Sequence, residues 1–304
     1  MPDLTHLSTI RTLCEKYGFS LSKRFGQHFL TNPAVCPRLC AEAGVGPQTE
    51  VLEIGPGFGT LTRQLSARAK KVVALEVDAR LLPVLDETLA GCGNVQVVQA
   101  DVLTCDLAAL FSEHFSGPVT VCANLPYYIT SPIIMRLLES GLPISNLTVM
   151  VQKEAAERLA APTGTRAAGA VTYAVRYHAA PRLLFTVSPG SFTPPPKVKS
   201  AVIRLDMHAS PPLAGQPQRE KRLFRLVRAA FGQRRKTLPN ALAAGADMPK
   251  EAVAAALASL GLTPLARAEQ LTLEQYIALE AALWPAAGEE TPQPKEKPDA
   301  LEDS

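Results

Sequence analysis

At 304 residues the chain is long enough for one substantial core and a smaller appended domain, since single cores rarely grow past about 250–300 residues. Hydrophobic residues make up 47% of it and charged residues 19%, with no apolar run long enough to cross a bilayer and no basic-then-apolar leader after Met1, so a soluble, unexported, cytoplasmic protein is expected. A net charge of +3 is too small to imply a nucleic-acid partner by itself, which leaves that question to where the charges sit.

Cys14, Cys36, Cys40, Cys92, Cys105 and Cys122 are scattered through a core-forming chain and read as reduced thiols rather than a disulfide framework. Cys36 and Cys40 can share a helix face, but no second Cys or His pair accompanies them, so no metal site is expected. From residue 49 to 145 short β-branched runs alternate with amphipathic stretches: VLEI at 51–54, VVALEV at 72–77, VQVVQA at 95–100 and VTVCAN at 119–124. Each gap can hold a crossover helix, which predicts an α/β fold with a mostly parallel sheet covered on both faces.

The first of these strands runs into Glu53-Ile54-Gly55-Pro56-Gly57-Phe58-Gly59, a glycine turn leading into a helix. Its GxGxG spacing differs from the GxGxxG of dinucleotide sites and suits close backbone approach to a nucleoside without a pyrophosphate. Glu76 closes the second strand, where a carboxylate can accept both hydroxyls of a ribose, and Asp101 follows the third, placed to accept from an adenine amine. Singly, each is more often a helix cap or a solvated loop residue than a ligand. Together they outline an adenosyl pocket.

The fourth strand ends in Asn124-Leu125-Pro126-Tyr127. An exocyclic adenine amine is a poor nucleophile because its lone pair is delocalised into the ring. Two acceptors holding its hydrogens favour a tetrahedral nitrogen aimed at an activated methyl. The Asn124 side-chain oxygen can be one acceptor and a backbone carbonyl within Leu125-Pro126 the other, with Pro126 stiffening the segment. Tyr127 offers a face for an unstacked base. A lone NLPY is also an ordinary turn, and its companions give it weight.

Ser131, Pro132 and Gly141 predict a helix over 132–140 with Ser131 as its N-cap. A strand is expected at 147–152, and antiparallel strands at 182–188 and 201–206 finish the sheet edge. Between these two lies Ser191-Phe192-Thr193-Pro194-Pro195-Pro196-Lys197, a stiff loop in which Phe192 either forms a stacking clamp with Tyr127 or anchors the loop in the core. A linker at 208–218 leads to an Ala-, Leu-, Arg- and Glu-rich helical region reaching about Trp284, and the tail from 286 lacks the apolar residues needed to fold. The expected domains are therefore 1–206, 207–285 and a disordered 286–304.

The segments EIGPGFGTLT, ALEVD, QAD, NLPYYIT, FTPPPKVKSAV and FGQRRKTLPNAL occur in this order, and the chain resembles the ribosomal RNA adenine dimethyltransferases from about Tyr17 to Trp284. The resemblance is to the bacterial enzymes that dimethylate two adjacent adenosines near the 3′ end of small-subunit rRNA. It implies a Rossmann-like, seven-stranded methyltransferase fold with a small all-helical C-terminal domain, and S-adenosylmethionine as methyl donor. Cofactor contacts would fall on His28, Leu30, Gly55, Gly57, Glu76, Asp101 and Asn124, amine orientation on Asn124, Leu125 and Pro126, and stacking on Tyr127 and Phe192. Many relatives carry Asn where this chain has His28, and either side chain can hydrogen-bond a ligand.

The small ribosomal subunit is then the expected partner, and a monomer the expected state. Lys23, Arg24, Lys197, Arg234, Arg235 and Lys236 become candidates for RNA contact, with Arg222, Arg225 and Arg228 along a preceding helix. The alternatives are a large-subunit rRNA methyltransferase of the antibiotic-resistance type, a non-catalytic RNA-binding assembly factor and, more remotely, a nicotinamide-dependent dehydrogenase.

Overall fold

The β-branched runs form strands. A computed structural model describes residues 2–19 and 28–285. Lys23 and Arg24, and the tail expected to be disordered from 286, lie outside the described residues. The chain divides into two compact units, with the boundary between Pro212 and Leu213.

In the first unit β2 (Glu50–Ile54), β3 (Lys71–Glu76), β4 (Val95–Gln99), β5 (Val119–Asn124), β6 (Ile144–Gln152), β7 (Ala179–Val187) and β9 (Ser200–Met207) make one sheet. Its order is β4-β3-β2-β5-β6-β9-β7. The first five run parallel, and β9 and β7 close the edge antiparallel, as expected for the two segments flanking the proline loop. The order reverses between β2 and β5, and such a reversal opens a crevice at the carboxyl ends of the strands.

Helices cover both faces because the strands are apolar on both. On one side α5 (Leu107–His114), α6 (Thr130–Leu138), α7 (Lys153–Ala160) and α8 (Ala170–His178) pack Leu110, Ile134, Leu159 and Val175 into one core with Leu52, Val121 and Val149. On the other α2 (Val35–Glu42) and α3 (Thr60–Ser66) set Leu39 and Leu65 over Val51, Val72 and Cys122. Cys36 and Cys40 do share the buried face of α2; both are free thiols, and burial pushes Cys40 up to about 12. α1 (Leu7–Tyr17) and α4 (Leu82–Thr88) form a smaller cluster with Phe58.

Two local expectations are corrected. α6 begins at Thr130, so Ser131 lies inside the helix rather than capping it. The cause is Pro126: its carbonyl accepts the Ile129 amide at 3.3 Å and the Thr130 hydroxyl at 3.1 Å, and this turn runs directly into the helix. The expected linker at 208–218 also ends early, because Pro217 starts α9 (Pro217–Gly232), a position where its missing N–H costs nothing.

The second unit contains α9, α10 (Leu238–Ala246), α11 (Lys250–Ser259) and α12 (Leu273–Leu283), with α9 packed on α10 and α12. Among the described residues no helix is long and apolar enough to cross a membrane.

Candidate active site

Four strand ends surround the reversal. A cavity of about 640 Å³ opens there, walled by the turns after β2, β3 and β5 and by the segment after β4. Gly55 and Gly57 adopt φ of +69° and +60°, and a Cβ on either would meet no protein atom within 4 Å. Their backbone thus borders open space that a ligand can occupy. Gly59 starts α3 at φ +84°, and a Cβ there would come within 2.9 Å of the Leu89 side chain. Only glycine fits that position.

Two carboxylates stand on the wall beyond the glycines. Glu76 is buried at the end of β3, and its Oε1 accepts the Asp78 amide at 2.9 Å. Burial raises its pKa, and the surrounding amides of Asp78, Gly57 and Val77 counter that. Asp101 lies past the end of β4 and accepts the Leu103 amide at 2.8 Å, which occupies one of its oxygens. Asn124, Leu125, Pro126 and Tyr127 form the facing wall at the end of β5.

Long-range pairing supplies the remaining side. β1 (Phe29–Leu30) pairs antiparallel with β8 (Phe192–Thr193), which brings the HFL segment against the proline loop. His28 Nδ1 donates to the Pro194 carbonyl at 2.7 Å, leaving Nε2 as the other ring nitrogen. The His28 ring stacks on Tyr127 with centroids 5.7 Å apart and 29° between planes. Tyr127 is half-buried, and its hydroxyl is 2.6 Å from Ser200 Oγ.

The cavity wall therefore holds His28, Leu30, Gly55, Gly57, Glu76 and Asp101 together with the four residues from Asn124 to Tyr127. Phe192 is not on it. That ring is 4% exposed and packs with Leu30, Met150 and Val202, in T-shaped contact with His28, as a loop anchor would. Lys197 is exposed on the loop after β8. In the helical unit Arg234, Arg235 and Lys236 are exposed in the turn after α9. Arg222 and Arg225, candidates on the preceding helix, also have partners within the unit. Arg222 lies 3.8 Å from buried Glu280, and Arg225 donates to the Ala246 carbonyl at the end of α10.

Two wall residues escaped the sequence reading. Tyr128 is 73% exposed beside Tyr127. Glu53 is the only acid in β2 apart from its first residue, in a strand buried throughout, which is a signal the sequence does carry. Its carboxyl is buried and pushed up to about 8, mainly by desolvation and further by the Glu76 charge, against a lowering by Thr62. A carboxyl neutral in the fold but ionised when unfolded favours folding at low pH, and that advantage drains away from about pH 4.5 up through pH 8. Stability of the cofactor-free protein is expected to fall across this window by at most about 1.4 kcal/mol per pH unit, and Glu53→Gln to flatten the fall. Denaturant titrations at three pH values compare the slopes; parallel slopes for the two proteins would refute the assignment.

Comparison with known proteins decides the family. Residues 18–283 match the family model described as ribosomal RNA adenine dimethylase. The chain belongs to this family. Curated relatives called ribosomal RNA small subunit methyltransferase A, from Bacillus cereus (strain AH187) and Bacillus anthracis (strain CDC 684 / NRRL 3495), are each 44% identical over 288 residues, covering 93% of this chain and 98% of theirs. Among solved structures, the 23S rRNA methyltransferase ErmE is 31% identical with a TM-score of 0.64, over 84% of this chain and 98% of that one. A dimethyladenosine transferase from Plasmodium falciparum is 25% identical with a TM-score of 0.67, over 82% and 95%. The dimethylase is thus an rRNA adenine methyltransferase with the Rossmann-like sheet of that class, and its methyl donor is S-adenosylmethionine.

The cavity fits such a donor. Its glycine floor has room where side chains are missing, and the buried Glu53 Oε2 on its wall has no protein hydrogen-bond partner. The dehydrogenase alternative falls with the family match.

Proposed function

We propose that this dimethylase methylates the exocyclic amines of two adjacent adenosines near the 3′ end of small-subunit rRNA. The observation that carries the reading is the single cavity in which Glu76 and Asp101 face Asn124-Leu125-Pro126-Tyr127 across the reversal of the sheet. The choice of subunit rests on the 44% identity to small-subunit enzymes over nearly their whole length.

Glu76 holds the ribose hydroxyls and Asp101 the adenine amine of the donor, with His28 and Leu30 closing the side and Gly55 and Gly57 leaving room. When bound, the donor supplies an electrophilic methyl on a sulfonium. Asn124 Oδ1 accepts one hydrogen of the target amine. The Pro126 carbonyl is already engaged by Ile129 and Thr130, so the second acceptor is the Leu125 carbonyl. Held between them, the nitrogen lone pair points at the methyl, and orientation supplies the rate enhancement. No strong base is needed, because the methylated amine is acidic as it forms and releases its proton to water. Tyr127, braced by His28 and Ser200, presents its ring to the base.

Labelled methyl transfer to small subunits lacking the modification, with large-subunit RNA alongside and nucleoside analysis after, tests the reading. Dimethyladenosine in small subunits alone is expected; label in large-subunit RNA alone would move the substrate to the ErmE type. Exposed Arg235 and Lys236 in the helical unit are proposed phosphate contacts. Arg235→Glu is expected to weaken RNA binding by roughly tenfold at low salt and to reduce the steepness of its salt dependence, with donor affinity unchanged. Filter binding across a salt series checks this, and an unaltered salt slope would remove Arg235 from the interface.

A further inference from the structure

NLPY is followed by a second tyrosine, and the turn sends the two rings to different places. Tyr127 is half-buried, stacked on His28 and bonded to Ser200. Tyr128 is 73% exposed on the rim of the same cavity. Among the described residues, the other large hydrophobic side chains left exposed are all aliphatic: Leu7, Val77, Leu183, Val198 and Leu265. An aromatic ring in water at the mouth of a site forgoes the apolar burial that usually places such a ring, and it asks for a ligand-side partner.

The backbone beneath it is fixed. The Pro126 carbonyl gathers both the Ile129 amide and the Thr130 hydroxyl, closing the turn that carries Tyr128 and joining it to α6. A tyrosine on a fixed turn has only two side-chain torsions to order, so it can serve as a platform at small entropic cost. The chemistry of the partner follows from the substrate. A base drawn into the cavity leaves its neighbour in the RNA strand with an unstacked face, at the rim where the strand enters. Flat, sequence-tolerant stacking on an aromatic ring is how proteins hold such a face.

We propose that Tyr128 stacks on the nucleobase adjacent to the target adenosine and thereby registers the RNA strand over the site. This rests on the proposed substrate, in which that neighbour on one side is itself an adenine, a purine with a large face to stack. Tyr127 then serves the base undergoing reaction and Tyr128 the base beside it. After the first adenosine is finished, the strand shifts by one nucleotide and the same pair of rings receives the next register.

The test compares the wild-type chain with Tyr128→Phe, Tyr128→Leu and Tyr128→Ala, using small subunits lacking the modification as substrate and calorimetry for S-adenosylmethionine. Loss of one stack is expected to raise KM for the subunits roughly tenfold in the Ala and Leu variants. The Phe variant, which keeps the ring, should stay near wild type, and donor affinity should be unchanged in all three. Because the side chain is exposed, the melting temperature should not move. An Ala variant with wild-type KM would overturn the proposal, and so would a Phe variant as impaired as Ala or a donor affinity that falls with the ring. Failure of the wild-type chain itself to methylate small subunits would instead overturn the substrate reading, and this inference with it.

Discussion

Asn124→Ala is expected to lower kcat for methyl transfer on the order of a hundredfold to a thousandfold, the range seen when one positioned polar group is removed from a reaction site. The expectation comes from the asymmetry of the two acceptors. Leu125 contributes through its carbonyl, which no substitution deletes; Leu125→Ala would instead open a hole at a side chain that is 2% exposed. Asn124 contributes through a side chain at the end of β5, while its backbone pairs with Met150 in β6 independently of that side chain. Removing the amide therefore strips one acceptor from the target nitrogen and leaves the strand intact. Single-turnover transfer separates this from product release, and donor affinity should change no more than a few-fold. Unaltered turnover in a folded Asn124→Ala protein would sink orientation as the mechanism.

What could be read in advance, and what could not, divides along physical lines. Strands such as 119–124 are strongly apolar and β-branched and lie in a parallel sheet buried on both faces, so local composition and burial agree. The glycine turn and NLPY are legible for a related reason, since each demands a backbone that few sequences supply. Pairing between β1 and β8 left no trace, because two-residue strands have no periodicity and their register is set by distant chain. Phe192 illustrates the cost. An aromatic between prolines suits a clamp or an anchor equally, and only the pairing with Leu30 places it in the core. Tyr127 and Tyr128 are chemically the same residue twice, and a turn closed by Thr130 decides which faces inward. The arginines of α9 are alike in sequence as well. Partners on α10 and α12, far along the chain, engage Arg222 and Arg225, and nothing local in the sequence points to them.

Those internal partners carry the second large effect. Arg219→Ala is expected to destabilise the helical unit by roughly 3 kcal/mol, the lower end of the cost of stranding a buried charge. Glu280 is fully buried on α12, and Arg219 Nε on α9 donates to its Oε2 at 2.8 Å. The second oxygen, Oε1, has only the Arg222 guanidinium nearby, at 3.8 Å, too far for a hydrogen bond. Without Arg219 the carboxylate keeps its desolvation penalty and loses its close partner. The reverse change should be milder, because Arg219 is one-third exposed and its guanidinium can turn to water when Glu280→Gln removes the charge. The effect should also persist at high salt, which screens exposed pairs far more than buried ones. Trp284 provides the readout: it is the only tryptophan in the chain, and it sits at the end of α12 under the Arg222 guanidinium, 5.4 Å from ring centroid to Cζ. Its fluorescence therefore probes this unit directly. A loss below about 1 kcal/mol for Arg219→Ala, the size of an exposed pair, would show that the Glu280 charge is compensated elsewhere, and an equal loss for Glu280→Gln would show that packing rather than charge holds α9 to α12.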